Sequence, residues 1–530
     1  MTTPARPSAL AARPLPLPSR DDPAVRAVST AIGGPWGRHG VVGQRRFWTP
    51  LRVLLVLTLF TLLLAWLEKS PCQDGDWPHS LQYTHMCYSD VIPLFFEEKL
   101  NTGAVPYAGH AVEYPVLTGG FMALAAWLGR RYDAVAGDLL PTMPPVQTYF
   151  TVTALLLAAC MLVVTWSTAA LARRRVWDAA MVALAPLLVV HAYTNWDLFA
   201  VALAGVGLVA WQRRRPGLAG VLLGLGAAAK LYPVLFLVPL FALCVRTRRL
   251  AAFAWAAGGA AVAWAAVNLP VAVAYPQAWR RFFELNQSRS ADFDTLWYGF
   301  EYLLARRQHR PAGTPHVNGV AAVAVVAVLV AVGLLALWAR RRPRLPQLLF
   351  LTVAGFLLAN KVWSPQYSLW LLPLAVLARP SWRAFLVWQA TECVLWVPRL
   401  LWFLGTGSKG VDYQWFLLAV LVRDAALIGY CVLVVRDILR PERDVVRACG
   451  EDDPAGGVLD RTPVGGDAAP SWVLPPGSAD GRAGSAPGVE PGGDSGAAAR
   501  FRAAADFRPV AGVGDAELGR NASGEARNTT

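Results

Sequence analysis

Apolar runs alternate with arginine clusters along most of this chain, and few folds tolerate that alternation. The runs occupy 49–67, 147–171, 177–191, 198–212, 217–229, 232–246, 250–275, 318–338, 346–360, 367–379, 383–402 and 414–436. Between and before them stand Arg45 and Arg46, Arg173 to Arg175, Arg213 to Arg215, Arg246, Arg248 and Arg249, and Arg340 to Arg342. Short cytoplasmic loops of polytopic membrane proteins look like this, because cations are not readily translocated. The pattern predicts an all-α bundle of about twelve crossings, although several runs are shorter than the ~20 residues of a full span.

Composition narrows the function classes. Charged residues make up 16% of the chain and the mean hydropathy is +0.39, whereas soluble domains are roughly a quarter charged. A water-soluble enzyme is excluded. So is a nucleic-acid partner, because the net charge of +14 resides in the loop clusters. The seven cysteines show no metal-ligand spacing such as CxxC. About 48 polar, Pro-rich residues precede the first run, and no small-residue cleavage site follows it, so no secretory signal is expected. Residues 1–44 and 441–530 lack periodicity and read as disordered segments flanking a transmembrane domain at 45–440.

Charge sets the expected orientation. With every arginine cluster cytoplasmic, both termini are cytoplasmic. The apolar stretch 116–129 does not fit that count, since a crossing there would put Arg173 to Arg175 outside. At this length it reads as a re-entrant or interfacial helix. The five lysines then fall on the outer side, together with a loop at 68–146 and another near 276–317. Three short outer connections carry Asn195-Trp196-Asp197, Lys230-Leu231-Tyr232-Pro233 and Asn360-Lys361-Val362-Trp363.

Those connections join short helices, which would recess their polar residues into the membrane. An ionisable group at that depth needs a partner or a water-filled cavity and is a functional candidate by default. Lys230 either meets an anion or snorkels to the interface, and Lys361 follows the same logic. Asp197 orients Lys230, binds a sugar hydroxyl or caps the helix beginning at Leu198. In the first outer loop lie Cys87-Tyr88-Ser89-Asp90-Val91, Val105-Pro106-Tyr107 and Glu113-Tyr114-Pro115. Asp90 opens an amphipathic stretch, where an acid serves as a cap or as a reactive group.

The order of these segments, continued by Ala229-Lys230-Leu231-Tyr232-Pro233-Val234 and Lys361-Val362-Trp363-Ser364-Pro365-Gln366-Tyr367, resembles the membrane-embedded glycosyltransferases of the GT-C superfamily. Its nearest likeness is to glycosyltransferase family 87, which includes bacterial α-mannosyltransferases that use polyprenyl-phosphate mannose. The resemblance covers roughly residues 45–440. It implies a GT-C bundle with a re-entrant or juxtamembrane helix in the first outer loop. It also implies an inverting transfer from a polyprenyl-phosphate sugar to a glycolipid or cell-envelope glycan at the outer face of the plasma membrane, with no cofactor. By the same resemblance Asp90 is the general base. Asn195, Asp197, Lys230, Tyr232, Glu113, Lys361, Gln366 and Tyr367 are the substrate-binding candidates.

Relatives often carry a second acid two positions after the base, where this chain has Ile92, so no metal is expected there. The triplets Asp74-Gly75-Asp76 and Asp292-Phe293-Asp294 lie away from the matched position. Arg280, Arg281 and Arg289 either reach a phosphate or are simply solvated. Cys72 and Cys87 share the outer loop and form a candidate bridge. The rival class is transport, as a lipid-linked-sugar flippase or solute carrier. Against it, residues 49–246 show no internal match with 250–436.

Overall fold

The computed structural model describes residues 48–136, 141–314 and 316–460, all within one folding unit. No strand occurs among the described residues. The first helix, α1 (Pro50–Lys69), begins where Thr49 Oγ1 accepts the Arg52 N–H at 3.3 Å and proline occupies the first helical position. Helices α2 (Val91–Glu97) and α3 (Val116–Val135) follow, then α4 (Pro145–Ala172), α5 (Pro186–His191), α6 (Asp197–Gln212), α7 (Pro216–Ala229) and α8 (Leu237–Thr247). Next come α9 (Leu250–Ala274), α10 (Pro276–Ser288), α11 (Leu296–Arg307) and α12 (Asn318–Trp338). The series closes with α13 (Leu345–Ala359), α14 (Ser368–Ala378), α15 (Trp382–Leu404) and α16 (Tyr413–Leu439).

Length and burial sort these helices into two classes. Five described passages are long and apolar enough to cross a membrane: Pro50–Cys72, Pro145–Ala183, Leu250–Ala274, Asn318–Trp338 and Tyr413–Leu439. The expected count of twelve is therefore not reached on length alone. Helices α6, α7, α13 and α14 have 16, 14, 15 and 11 residues, so the longest rises only ~24 Å against a hydrocarbon core of ~30 Å. These short helices are the buried ones, and every residue of α14 is inside. The long helices α9 and α12 turn most of their apolar surface outward. A short helix enclosed by longer ones ends below their level, so its terminal residues line a recess.

The run expected to cross at 177–191 is broken. It forms a 3-10 turn at Arg173–Ala179, a single turn at Ala180–Ala183, and then α5. Pro186 cannot continue the preceding turn because it lacks an N–H. Gln389 Oε1 accepts the Leu187 N–H at 3.1 Å, satisfying one backbone donor that the break frees. The apolar stretch beginning at 116 is also longer than its expected limit of 129. Its start touches the end of α7, where Thr118 Oγ1 donates to Ala229 O, and its last turns touch the 68–146 loop, where Arg130 donates to Leu100 O.

Among the described residues, Arg173, Arg246 and Arg342, from three of the arginine clusters, line one hollow together with residues from the stretch 451–460. Residues 441–460, read from composition as disordered, are instead folded onto them in short helical turns. Arg344 explains why. Its guanidinium pairs with Asp444 at 2.7 Å and donates to Leu377 O and Ala378 O at the end of α14. Asp453 accepts the Leu345 N–H at the start of α13, and Glu451 lies near Arg173 and Arg174. Acidic partners for the clusters thus come from the very segment whose composition suggested disorder. The remaining expected disordered stretches, 1–44 and 461–530, lie outside the described residues.

Helices α7 and α9 approach closely over small residues. A Cβ added to Gly220 or Gly224 would run into the Ala256 or Ala260 carbonyl, both backbone atoms that cannot swing away. Gly258, on the opposite side of α9, meets nothing. Gly224→Val should lower stability in detergent by about 1–3 kcal/mol through overpacking. Gly258→Ala should leave the melting temperature unchanged or raise it, and equal melting of the two variants would contradict this packing.

Candidate active site

The three polar connections and the 68–146 loop converge on one cavity of about 830 Å³. Its construction starts with Ser89, whose hydroxyl donates to Tyr193 O at 2.7 Å, while the Asp90 N–H donates to Thr194 O at 2.9 Å. These bonds dock the loop onto the segment between α5 and α6. Asp90 occupies the N-cap position of α2 but makes no side-chain capping bond. Ser89 Oγ takes the Val91 N–H instead. The Asp90 carboxylate is thereby released from local structure.

Two amides hold it. Asn195 Nδ2 donates to Asp90 Oδ2 at 2.7 Å and also to the Tyr114 hydroxyl at 2.7 Å, while Gln366 Nε2 donates to the same carboxylate oxygen at 3.3 Å. Asn195 Oδ1 accepts the Trp196 N–H, which fixes the amide's orientation. Both amides land on Oδ2. The Tyr88 phenol lies beside Asp90. Burial first, and then the Asp90 charge, push its pKa above the usual range, so it stays a neutral donor.

Lys230 follows α7, where the chain leaves helical geometry. Its Nζ lies 3.5 Å from Asp197 Oδ2 and sits over the rings of Tyr114 and Tyr367 at 5.0 and 5.3 Å. Asp197 is fully buried and does not reach the cavity wall. Its other oxygen accepts the Trp370 indole N–H at 2.7 Å. It therefore holds Lys230 and the edge of the Trp370 ring from behind the wall. Trp370 is in turn stacked between Tyr232 at 4.4 Å and Tyr367 at 4.1 Å. The other substrate-binding candidates, Asn195, Glu113, Tyr232, Lys361, Gln366 and Tyr367, all line the cavity.

Lys361 is held by backbone carbonyls. Its ammonium donates to Gln287 O and Arg289 O at the end of α10, and its own carbonyl accepts the Asp292 N–H. Of the three loop arginines, Arg289 reaches the wall and Arg280 and Arg281 do not. The second acidic triplet is spent on arginines: Asp292 pairs with Arg289 at 3.2 Å and Asp294 with Arg399 at 3.0 Å. Burial, with Asp294 nearby, pushes Asp292 up to about 6. Asp74 accepts the Asp76 N–H in an exposed turn and is not on the wall.

Arg399 was missed by the sequence reading, yet it lines the cavity. An arginine inside the apolar run 383–402, well past Arg383 at its start, was the available signal. Cys72 and Cys87 are joined by a disulfide, with Cα atoms 5.8 Å apart. The bridge closes the loop just before Asp90, and Lys69 Nζ donates to Tyr88 O at 3.0 Å beneath it.

Residues 114–365 match the family model of glycosyltransferase family 87. The chain is a membrane glycosyltransferase by that match and by its apolar helices. The matched segment, a little under half of the chain, contains Asn195, Lys230 and Lys361, while Asp90, Gln366 and Tyr367 flank it. No curated protein matches the chain.

One more group braces the glycosyltransferase cavity from behind. Glu98 Oε1 accepts the Glu113 N–H at 3.2 Å, and Glu98 Oε2 lies 3.4 Å from His110 Nε2. Burial pushes Glu98 up to about 7 from the ordinary 4.5. A carboxyl raised in the folded state favours folding while protonated, and that contribution is lost as pH rises through about 7. Glu98→Gln should therefore melt above the wild type once the pH exceeds about 7, and the two should converge near the ordinary carboxyl pKa. Superimposable melting curves at all pH values would remove Glu98 as the titrating brace.

Proposed function

We propose that this chain is an inverting mannosyltransferase, moving mannose from a polyprenyl-phosphate donor to a hydroxyl of a glycolipid or cell-envelope glycan. The site faces outward from the plasma membrane, and both termini are cytoplasmic. The observation that carries the reading is Asp90: a carboxylate at a helix start, uncapped, held by two amides at the wall of a cavity. That arrangement suits a positioned base. The family 87 match supports sugar transfer as the reaction type, and the donor, the sugar and the face follow the resemblance.

The chemistry runs as one displacement. The acceptor oxygen bonds to the anomeric carbon on the face opposite the phosphate, and its proton passes to Asp90. The anomeric C–O bond breaks, its electron pair leaves with the oxygen, and polyprenyl phosphate departs. Charge grows on that oxygen in the transition state, where fixed cations stabilise it. Lys230 and Lys361 are the cations proposed for that work, and both are mostly buried on the wall. Asp197 keeps Lys230 in place without occupying the cavity.

Purified protein in lipid, given synthetic polyprenyl-phosphate mannose, tests the reading. Asp90→Asn keeps the shape but accepts no proton, and should cost ~10²–10⁴ in rate. Asp90→Glu should also be slow, because a displacement of about 1 Å can cost ~100-fold. Lys230→Ala should weaken donor binding as well as turnover. Asp74→Asn, in the same loop but off the wall, should remain active. Wild-type turnover by Asp90→Asn would show that the base lies elsewhere.

A further inference from the structure

The loop closed by the Cys72–Cys87 bridge, with Tyr88 just after it, contributes a wall of a different character from the rest of the cavity. Trp77, Tyr83 and Tyr88 are half-buried and all line it. Their rings run in series, with Trp77 5.9 Å from Tyr88, Tyr88 6.3 Å from Tyr83, and Tyr83 6.0 Å from Phe403 on α15. The Trp77 indole N–H is engaged by Cys72 O at 3.0 Å, which fixes that ring from behind. Trp396 donates to Met86 O at 2.6 Å and ties the loop to α15. The shelf is thus rigid before any ligand arrives, which lowers the ordering cost of binding.

The segment that carries the shelf, residues 73–88, holds no lysine or arginine of its own. Lys230, Lys361 and Arg289 belong to the connections after α7, α13 and α10. Two cations lie beside the shelf and both are answered: Lys69, off the wall, pairs with Glu68 and donates to Tyr88 O, and Arg399 pairs with Asp294 while its guanidinium lies over Trp396 and Phe403. An anionic group would gain little there. A sugar ring, with an apolar C–H face and hydroxyls at its edge, matches flat aromatic rings that carry phenol groups.

We infer that the Trp77–Tyr83–Tyr88 shelf is the acceptor subsite and that its occupant is an uncharged, non-reducing terminal sugar ring. This rests on the transferase reading above. Tyr88 stands two residues before Asp90, so a ring lying on the shelf presents an edge hydroxyl to the carboxylate. The donor phosphate takes the side with the lysines. The disulfide then acts as a brace for acceptor recognition.

The test uses the full chain in lipid, with polyprenyl-phosphate mannose as donor and the octyl glycosides of mannose, glucose, galactose and arabinose as acceptor probes. Product and free mannose are measured together. At least one octyl glycoside should be extended by the wild type. Tyr83→Leu should raise the KM for that acceptor roughly tenfold, the scale of one lost aromatic contact, with the donor KM within about twofold. Tyr83→Phe should restore it, and Trp77→Leu should behave as Tyr83→Leu does. Three results overturn the assignment: donor hydrolysis with no octyl glycoside extended, an unchanged acceptor KM in both leucine variants, or a donor KM that moves instead. Absence of any donor turnover by the wild type would instead sink the transferase reading itself.

Discussion

Helices of 11 to 16 residues cannot carry their ends to both surfaces of a membrane, and the rest of the structure answers that deficit. Every polar group left at depth has to find a partner within the protein. Asn195, at the end of one such break, joins Asp90 to Tyr114. Asp197 and Lys230, at the ends of α6 and α7, find each other. The 360–364 connection is sewn to the end of α10 through Lys361 and Asp292. The cavity is the residual space among these pairings, which is why polar residues far apart in the chain meet on its wall.

The opposite end solves the reverse problem. Arginines there are abundant, and a buried guanidinium without a carboxylate is costly. Arg344 is almost wholly enclosed and uses Asp444 together with two helix-terminal carbonyls. Arg342 meets Asp460 and Asp453. Asp453 also accepts the Leu345 N–H at the start of α13, so one short segment both neutralises charge and finishes a helix. The bundle is therefore fastened at its arginine end by chain that contributes no crossing of its own.

Much of the bundle was legible because apolar runs and arginine clusters record burial and loop position directly. Lys230, Lys361 and Asn195 stood out because polar residues between short apolar runs have few innocent explanations. Other features were hidden by averaging. Runs 383–402 and 414–436 read as uniform spans, yet Arg399, Arg423 and Asp424 lie inside them. Arg423 lies 3.5 Å over the Trp363 ring and reaches the Asp294 carbonyl. The break at Pro186 was masked by continuous hydropathy, because Gln389 supplies from a distant helix what the turn lacks. The docked stretch 441–460 was lost because Gly, Pro and Asp serve equally in disordered tails and in tight caps. Only its partners decide between the two, and those are not local.

The position of that fastening segment in the chain has a consequence for how the protein is made. Chains emerge from the ribosome from their N-terminal end, and early segments fold first. Arg173, Arg342 and Arg344 are all synthesised before residues 444–460, and so is the start of α13. Until the last turn of α16 has left the ribosome, those arginines have no acids to meet and α13 lacks the carboxylate that caps it. The bundle is thus completed from its far end of synthesis, like a drawstring pulled after the fabric is in place. A chain interrupted between residues 404 and 443 would carry every residue of the cavity wall and an unfinished opposite face.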